Sequence, residues 1–184
     1  PEIKVNYTKP LGEYFEFNLD SEVAHFDNTL DTAPTATRFH VAPTLAMPLR
    51  AAWGQFVAET TLFQTVYQQD NVEGTDLKED VERTLGQARL YGALYFERDT
   101  SWFSDDMSMT LEPKVQYLYT SYEDQTAIGF YDSTPLLTDV EGLFRGQEFT
   151  GLDRISDNNQ ITLGATTRML DKNNREQFVL SVGQ

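Results

Sequence analysis

Few residues of this 184-residue chain have the types and spacing that chemistry requires. There is no cysteine, which excludes thiol catalysis, disulfides and Cys-rich zinc sites. The two histidines, His25 and His40, stand alone, and a single histidine on a strand is typical of hydrogen bonding rather than of base catalysis. The carboxylate pair Asp105-Asp106 falls in a predicted turn, where Asp bonds to local backbone groups. Phosphate-binding, nucleophile and metalloprotease motifs are missing. We therefore expect no enzymatic activity, no cofactor and no metal site.

The charge balance bears on the class of partner. The chain has 14 Lys+Arg against 29 Asp+Glu, a formal net charge of −15. Such a surface repels phosphate backbones, so we expect no nucleic-acid partner. Mean hydropathy is −0.46, and no apolar run approaches the ~18 residues of a transmembrane helix. Membrane strands remain possible, because their alternating residues average out as polar.

Apolar and polar residues alternate with a period of two along most of the chain. The pattern starts at residues 3–7 and recurs in seven later segments, which predicts strands whose two faces differ in polarity. The one helical spacing, at residues 75–85, is short and crowded with acids, so we expect no stable helix there. We predict an all-β protein of about eight antiparallel up-and-down strands, most reaching the ~9–11 residues of a membrane strand.

The predicted connections alternate in length. Short ones fall at 10–12, 49–52 and 171–174, a middling one at 98–107, and long ones at 27–35, 69–83 and 121–158. Tight periplasmic turns and long extracellular loops are typical of outer-membrane barrels, so we predict part of a large transmembrane β-barrel. The connection 121–158 carries many apolar residues, which must be buried over the barrel mouth, against a partner in the lumen, or within the loop itself.

The polar faces of the predicted strands would line the lumen of such a barrel. The alternative is the solvated side of an ordinary antiparallel sheet. Aromatic residues near strand ends, among them Trp53 and Trp102, favour the barrel because aromatic girdles lie at the headgroup level. The candidate lumen-lining residues are Glu16, Asn18, Asp20, Glu22, Arg38, His40, Arg89, Glu112, Lys114 and Gln116.

Several blocks of the sequence, in this order, resemble the barrel region of the LptD family, also called organic solvent tolerance or lipopolysaccharide-assembly proteins. The more specific blocks are TLEPKVQYLY at 110–119, YDS at 131–133, GLFR at 142–145 and GLDRI at 151–155. Weaker matches are PEIKV at 1–5, VAHF at 23–26, ATR at 36–38, YQQ at 67–69 and FERD at 96–99. The similarity spans essentially the whole chain.

The resemblance implies a wall segment, residues 1–184, of the lipopolysaccharide translocon in the outer membrane of a Gram-negative bacterium. It implies a wide barrel plugged by the lipoprotein LptE. Lipopolysaccharide would arrive from the periplasmic bridge protein LptA through an N-terminal domain outside this chain. We expect both chain ends to be cuts through a longer protein. The candidate plug or lumen contacts are Tyr131, Asp132, Ser133, Gly151, Leu152, Asp153, Arg154 and Ile155.

Two other functions stay open at this point. One is a complete eight-stranded outer-membrane barrel acting as an adhesin or narrow channel, which the final Gly183-Gln184 disfavours because a closing strand should end in an aromatic residue. The other is a soluble β-sandwich binding module. That class would need shorter strands and has no reason to sort its loops by length.

Overall fold

The computed structural model describes residues 1–30, 32–100, 107–137 and 139–184. Trp102 and the pair Asp105-Asp106 lie outside these ranges. The described residues form nine strands and a short 3₁₀ turn, Gly142–Phe144. The strands are β1 Glu2–Leu11, β2 Phe15–Phe26, β3 Thr35–Ala51, β4 Gly54–Asp70, β5 Asp80–Leu94, β6 Phe96–Thr100, β7 Met107–Thr120, β8 Asn158–Leu170 and β9 Glu176–Gly183.

All nine strands belong to one antiparallel sheet in the order β1-β2-β3-β4-β5-β7-β8-β9, with β6 also paired to β7. Within the described residues β1 and β9 each have one neighbour, so the sheet is open. This confirms the predicted all-β, up-and-down fold. The described ranges contain no helix that is long and apolar enough to cross a membrane.

The predicted fifth strand is divided into β5 and β6, which pair with β7 in one register on either side of Pro113. Proline has no N–H to donate to the ladder, so the pairing is interrupted there. On the other side of β5, the N–H of Tyr95 donates to the carbonyl oxygen of Trp53 in the β3–β4 turn, at 2.9 Å. One predicted strand therefore becomes two without a change of direction.

Alternate residues of each strand point to opposite faces, as the period-two pattern predicts. On β3, Phe39 is 52% exposed whereas Arg38 is fully buried. We call the face that carries Phe39 the apolar face, and the face that carries Arg38 the covered face. Within the described residues, no segment packs on the apolar face. The covered face lies beneath the connection between β7 and β8, residues 121–157, which we call the long loop.

Apart from the connection predicted at 98–107, most of which lies outside the described residues, connection lengths alternate as predicted. Residues 12–14, 52–53 and 171–175 make short connections at one end of the sheet, whereas 27–34, 71–79 and the long loop connect strands at the other. Gly12 has φ +76°, a conformation that suits glycine in the first tight turn. The strand β5 starts at Asp80, within the segment 75–85 that has a helical spacing, and residues 75–79 lie in the preceding connection, so no helix forms there.

Candidate functional site

The long loop is attached to the sheet through a buried arginine. Arg38 of β3 has no exposed surface and contacts three carboxylates. Its Nε donates to Oε1 of Glu22 at 2.8 Å, and its Nη1 donates to Oδ1 of Asp132 at 3.0 Å and of Asp153 at 2.9 Å. The guanidinium also lies over the ring of Phe26, 4.8 Å from its centre. A buried charge requires this degree of pairing to be tolerated.

Asp153 joins the two arms of the long loop to each other and to the sheet. Its Oδ2 accepts the backbone N–H groups of Tyr131, Asp132 and Ser133 at 2.7, 2.7 and 3.2 Å. Its Oδ1 accepts the hydroxyl of Tyr67 on β4 at 3.0 Å. In return, Ser133 Oγ accepts the Asp153 N–H at 2.9 Å. The segments 131–133 and 151–155 therefore form one hydrogen-bonded unit.

Two polar residues further along the covered face bind the backbone of the same loop. Arg83 of β5 donates to the carbonyl oxygens of Asp153 at 3.0 Å and Leu152 at 2.6 Å. Gln69 of β4 donates to the Ala127 carbonyl at 2.9 Å and accepts the Tyr131 hydroxyl at 2.7 Å. Buried backbone groups of an irregular segment need such partners, so these side chains define where the loop can lie.

Apolar contacts accompany the polar ones. Ile155 of the loop packs with Ala42, Phe63 and Leu85 of the sheet. At a second attachment, Phe144 of the 3₁₀ turn lies against Gly164 of β8, where an added Cβ would be 2.9 Å from its ring. The loop therefore contacts the covered face from β2 to β8.

The electrostatics of the loop follow from this burial. Burial opposes ionisation of Asp132, but hydrogen bonds and charge from Arg38 outweigh it and lower the pKa of Asp132 to about 2. Burial, with the nearby Asp153 charge, raises the pKa of the Tyr131 hydroxyl to about 12. At neutral pH the loop thus presents the ionised Asp132 carboxylate to Arg38 and the neutral Tyr131 phenol to Gln69.

The ten candidate lumen-lining residues all lie on the covered face, as the strand register requires. Several contact each other or their neighbours. Arg89 donates to Gln116 at 2.7 Å and to Glu59 at 3.0 Å, and Glu112 accepts from Arg168 at 2.6 Å. His40 is buried and bonds Thr65 at 2.8 Å, whereas His25 is exposed and lies apart from it.

The eight candidate contact residues of the loop come together in space. Asp153 and Ile155 are buried against this chain's own sheet, and the other six are half-buried. Gly151 has φ +62°, and a Cβ there would lie 2.2 Å from Asp132 Oδ1, so glycine is required. Arg154 lies over the ring of Phe130 at 3.9 Å and donates to the Ile128 carbonyl.

The sequence analysis did not identify four residues that hold the loop in place. They are Tyr67, Gln69, Arg83 and Gln125. The polar residues at alternate positions of β4 were the available signal for Tyr67 and Gln69. Across the described ranges, no group of three or more His, Asp or Glu side chains is arranged to hold a metal. Arg38 binds the carboxylates of Glu22, Asp132 and Asp153. This arrangement fixes the long loop in place and does not resemble an acid–base pair.

Comparison with known proteins places the whole chain in one group. Residues 1–184 match the family model described as LptD, LPS transport system D. The chain is 61% identical over 184 residues to the LPS-assembly protein LptD of Pseudoalteromonas atlantica. It is 44% and 45% identical over 186 residues to those of Shewanella frigidimarina and Pseudoalteromonas translucida. Each match covers all of this chain, which spans about a quarter of the length of these curated relatives, 24–25%.

Proposed function

This chain belongs to the LptD family, and on that premise we propose that it forms part of the wall of an outer-membrane β-barrel that assembles lipopolysaccharide in the outer leaflet of a Gram-negative cell. The relatives are named for lipopolysaccharide assembly. The arrangement that supports a wall role is the inverted polarity of the sheet. In the part of the chain that the structure describes, nothing packs on its apolar face, whereas the long loop covers its polar face.

A soluble protein buries the apolar face of a sheet and leaves the polar face to water. Here Ile3, Ile161 and Leu163 of the apolar face are 70%, 68% and 59% exposed. Exposed apolar side chains continue across the sheet from β1 to β9, whereas monomeric soluble proteins rarely expose contiguous apolar patches larger than a few hundred Å². In a transmembrane barrel, lipid acyl chains contact the apolar face of the strands, and the polar face lines the lumen. This observation carries the proposal.

The open edges fit the same proposal. Unpaired backbone groups cannot face hydrocarbon, so β1 and β9 need neighbouring strands. The relatives are about four times as long as this chain, which covers 24% of the first of them, and their remaining length can supply those strands. In this arrangement the short connections lie on the periplasmic side and the long loop folds into the lumen from the outer side.

The partners are part of the same proposal and are those that the resemblance to the family implies. Lipopolysaccharide reaches the barrel from LptA through a domain outside this chain, and the lipoprotein LptE occupies the lumen beside the long loop. Asp153 and Ile155 are already buried against this chain's own sheet, so their role is to attach the loop to the covered face. Phe130 and Leu137, which are 69% and 86% exposed, are the loop residues best placed to contact the plug.

Site-specific photocrosslinking in cells tests this proposal. A photoreactive amino acid is placed in the full-length protein at Phe130 or Leu137, with Phe39 of the apolar face as the matched control, and adducts with LptE are detected by immunoblotting. We expect an adduct from at least one loop site and none from Phe39. Clean lanes at both loop sites in correctly inserted protein, or an equal adduct at Phe39, would contradict the proposed plug contact.

A further inference from the structure

Residues 134–150 form a distinct part of the long loop, which we call the flap. The structure describes all of them except 138. The two sides of the flap are joined by a bridge between Pro135 and Phe149, and the 3₁₀ turn at 142–144 forms its tip. The flap therefore extends from the rest of the loop as a two-sided strip.

The tip of the flap lies in a notch made by two glycines of the covered face. Gly164 of β8 and Gly183 of β9 are directly opposed. An added Cβ would lie 2.9 Å from the ring of Phe144 at Gly164, and 3.0 Å from Leu143 Cδ1 at Gly183. The tip thus occupies space that larger residues of β8 and β9 would fill. Lys114 of β7 lies beside it, with Nζ 5.2 Å from the centre of the Phe144 ring.

The flap begins and ends at the hydrogen-bonded unit of residues 131–133 and 151–155, which we call the base. The ion pair between Arg38 and Asp153 attaches the base to β3, and neither side chain of the pair is exposed. Breaking a buried pair leaves an uncompensated charge away from water, which is strongly unfavourable. The base is therefore the firmly attached part of the loop.

The tip is held by weaker contacts. Its ion pair, Lys114 with Glu141 at 3.0 Å, includes a carboxylate that is 63% exposed, and exposed pairs contribute little to stability. Among the described residues of the flap, Phe144 alone is buried. Local opening starts in segments that have few buried contacts, so the tip should open before the base.

A buried donor without an acceptor lies beneath the tip. Gln116 of β7 has no exposed surface and stands between Tyr91 and Thr162, whose side chains both contact the tip. Its Oε1 accepts Arg89 Nε at 2.7 Å, which fixes the amide orientation because a guanidinium has only donors. Within the described ranges, Gln116 Nε2 then has no partner. A buried N–H of this kind is destabilising until water reaches it, so departure of the tip relieves the penalty.

The base has one comparable group. Arg83 Nε also has no partner within the described ranges. The other two nitrogens of that guanidinium, however, donate to Gln125, Asp153, Thr65 and Leu152. The base therefore keeps most of the hydrogen bonds that its buried side chains can make.

The middle of the flap is not closely packed on the sheet. A cavity of about 370 Å³ lies between the flap and the strands β7 and β8. Its lining mixes apolar and polar residues, among them Leu118, Leu137, Arg145, Phe149, Asn158 and Gln160. Protein interiors hold few voids larger than a water molecule, and atoms around a void lose dispersion contacts. Docking of the flap therefore depends on its tip.

We propose that the flap is a latch, whose tip leaves the glycine notch and returns while the base stays attached to the covered face. Undocking exposes Gln116 and Thr162, opens the cavity and leaves the pairing of the strands unchanged. This inference does not depend on the proposed function, because it concerns contacts within this chain.

Two cysteine reporters in the full-length protein test the latch. Thr162→Cys places a thiol beneath the tip, and Ala42→Cys places one beneath the base, where Ala42 packs with Ile155. Thr162 and Ala42 are 3% and 4% exposed. This chain has no cysteine of its own. Labelling by a water-soluble thiol reagent is followed over time and located by mass spectrometry.

The wild-type flap should expose the thiol beneath the tip at least about tenfold faster than the thiol beneath the base, since only the tip opens alone. Phe144→Ala should speed labelling of Thr162→Cys by a further factor of about ten or more, because it removes the buried side chain of the tip. It should leave labelling of Ala42→Cys unchanged. The matched control is Phe130→Ala, which removes a phenylalanine of the same loop that is 69% exposed, and it should change neither rate.

A third substitution tests the buried donor. Gln116→Met keeps the shape of the side chain and removes the N–H that has no acceptor, while Arg89 retains Glu59 at 3.0 Å. It should slow labelling of Thr162→Cys. An unchanged or faster rate would overturn the part given to Gln116.

Three results would overturn the latch itself. One is equal labelling of the two reporters in the wild type. Another is an equal acceleration of both by Phe144→Ala, which would mean that the loop moves as one unit. The third is no labelling at Thr162→Cys with or without Phe144→Ala, which would mean that the tip does not leave the notch.

Discussion

Arg38 of β3 and Asp153 of the long loop form an ion pair of 2.9 Å in which neither side chain is exposed, although 115 positions separate them in the chain. A buried pair is stable only when further hydrogen bonds satisfy both partners. Glu22 and Asp132 supply them for Arg38, and Tyr67 and three backbone N–H groups supply them for Asp153. The position of the loop is thus determined by a small number of charged groups.

Arg38→Ala should release the loop from the covered face. It leaves the carboxylates of Asp132 and Asp153 without their cation, whereas Glu22 keeps Lys4 at 3.3 Å. Removing one partner of a buried pair costs about 3–5 kcal/mol. Hydrogen exchange of the full-length protein should show lost protection at residues 125–155, with β7 and β8 still protected.

The matched control is Arg168→Ala, which removes an ion pair with Glu112 at 2.6 Å on the same face. Both side chains are about one-third exposed, 34% and 29%, so the loss should stay below about 1 kcal/mol. Equal loss of loop protection in the two variants would contradict the role given to Arg38.

Acid should weaken loop attachment through Asp132. Its pKa of about 2 in the folded chain lies below the roughly 3.9 of an unfolded Asp, so ionisation favours the attached loop. The contribution is complete above about pH 4 and is lost as pH falls through about 2. Loop protection should therefore differ between the wild type and Asp132→Asn at pH 6 and converge toward pH 2. A constant difference over this range would contradict the assignment.

Gly151→Ala should destabilise the loop more than Gly74→Ala. Both glycines have positive φ, +62° and +77°, so both substitutions carry a backbone cost of about 1 kcal/mol. Only at Gly151 would the new Cβ also collide with Asp132, at 2.2 Å. The difference in hydrogen-exchange protection of residues 131–133 measures that collision, and equal effects would show that the contact is absent.

Part of the covered face is not beneath the long loop, and reversing the charge of its acidic residues tests their role in lipid passage. Like charges disfavour binding of an anionic glycolipid, so Glu16→Lys with Asp20→Lys should slow the appearance of lipopolysaccharide at the cell surface. Glu22 is left intact because it binds Arg38. The control is Glu73→Lys in an exposed connection. Unchanged export of lipopolysaccharide in the double variant would contradict this electrostatic role.

Alternation was sufficient to predict the faces of the central strands. Phe39 points outward and Arg38 inward because β-strand side chains alternate regardless of their partners. Alternation failed at the start of β5, where Val81 and Leu85 lie on the covered face whereas Glu82 and Thr84 lie on the other. Polarity is reversed there, so the sequence pattern places Arg83 in the predicted connection 69–83.

The conformation of the long loop could not be predicted from local pattern. Asp153 acquires its role from Arg38 and Tyr67, which are 115 and 86 positions away. No period in the sequence encodes such contacts. The apolar content of the loop did predict that it must be buried, and the structure resolves where, since Ile155 and Ile128 pack on the sheet.

The most direct test of the central claim compares two neighbouring residues of β3. A spin label is placed singly at Leu45, 48% exposed on the apolar face, or at Thr44 on the covered face, in full-length protein reconstituted into a bilayer. Collision rates with oxygen, which concentrates in lipid, and with a water-soluble nickel chelate are then measured. We predict oxygen dominance at Leu45 and relatively greater chelate access at Thr44. Chelate dominance at Leu45 would show that the apolar face is not in lipid and would contradict the account.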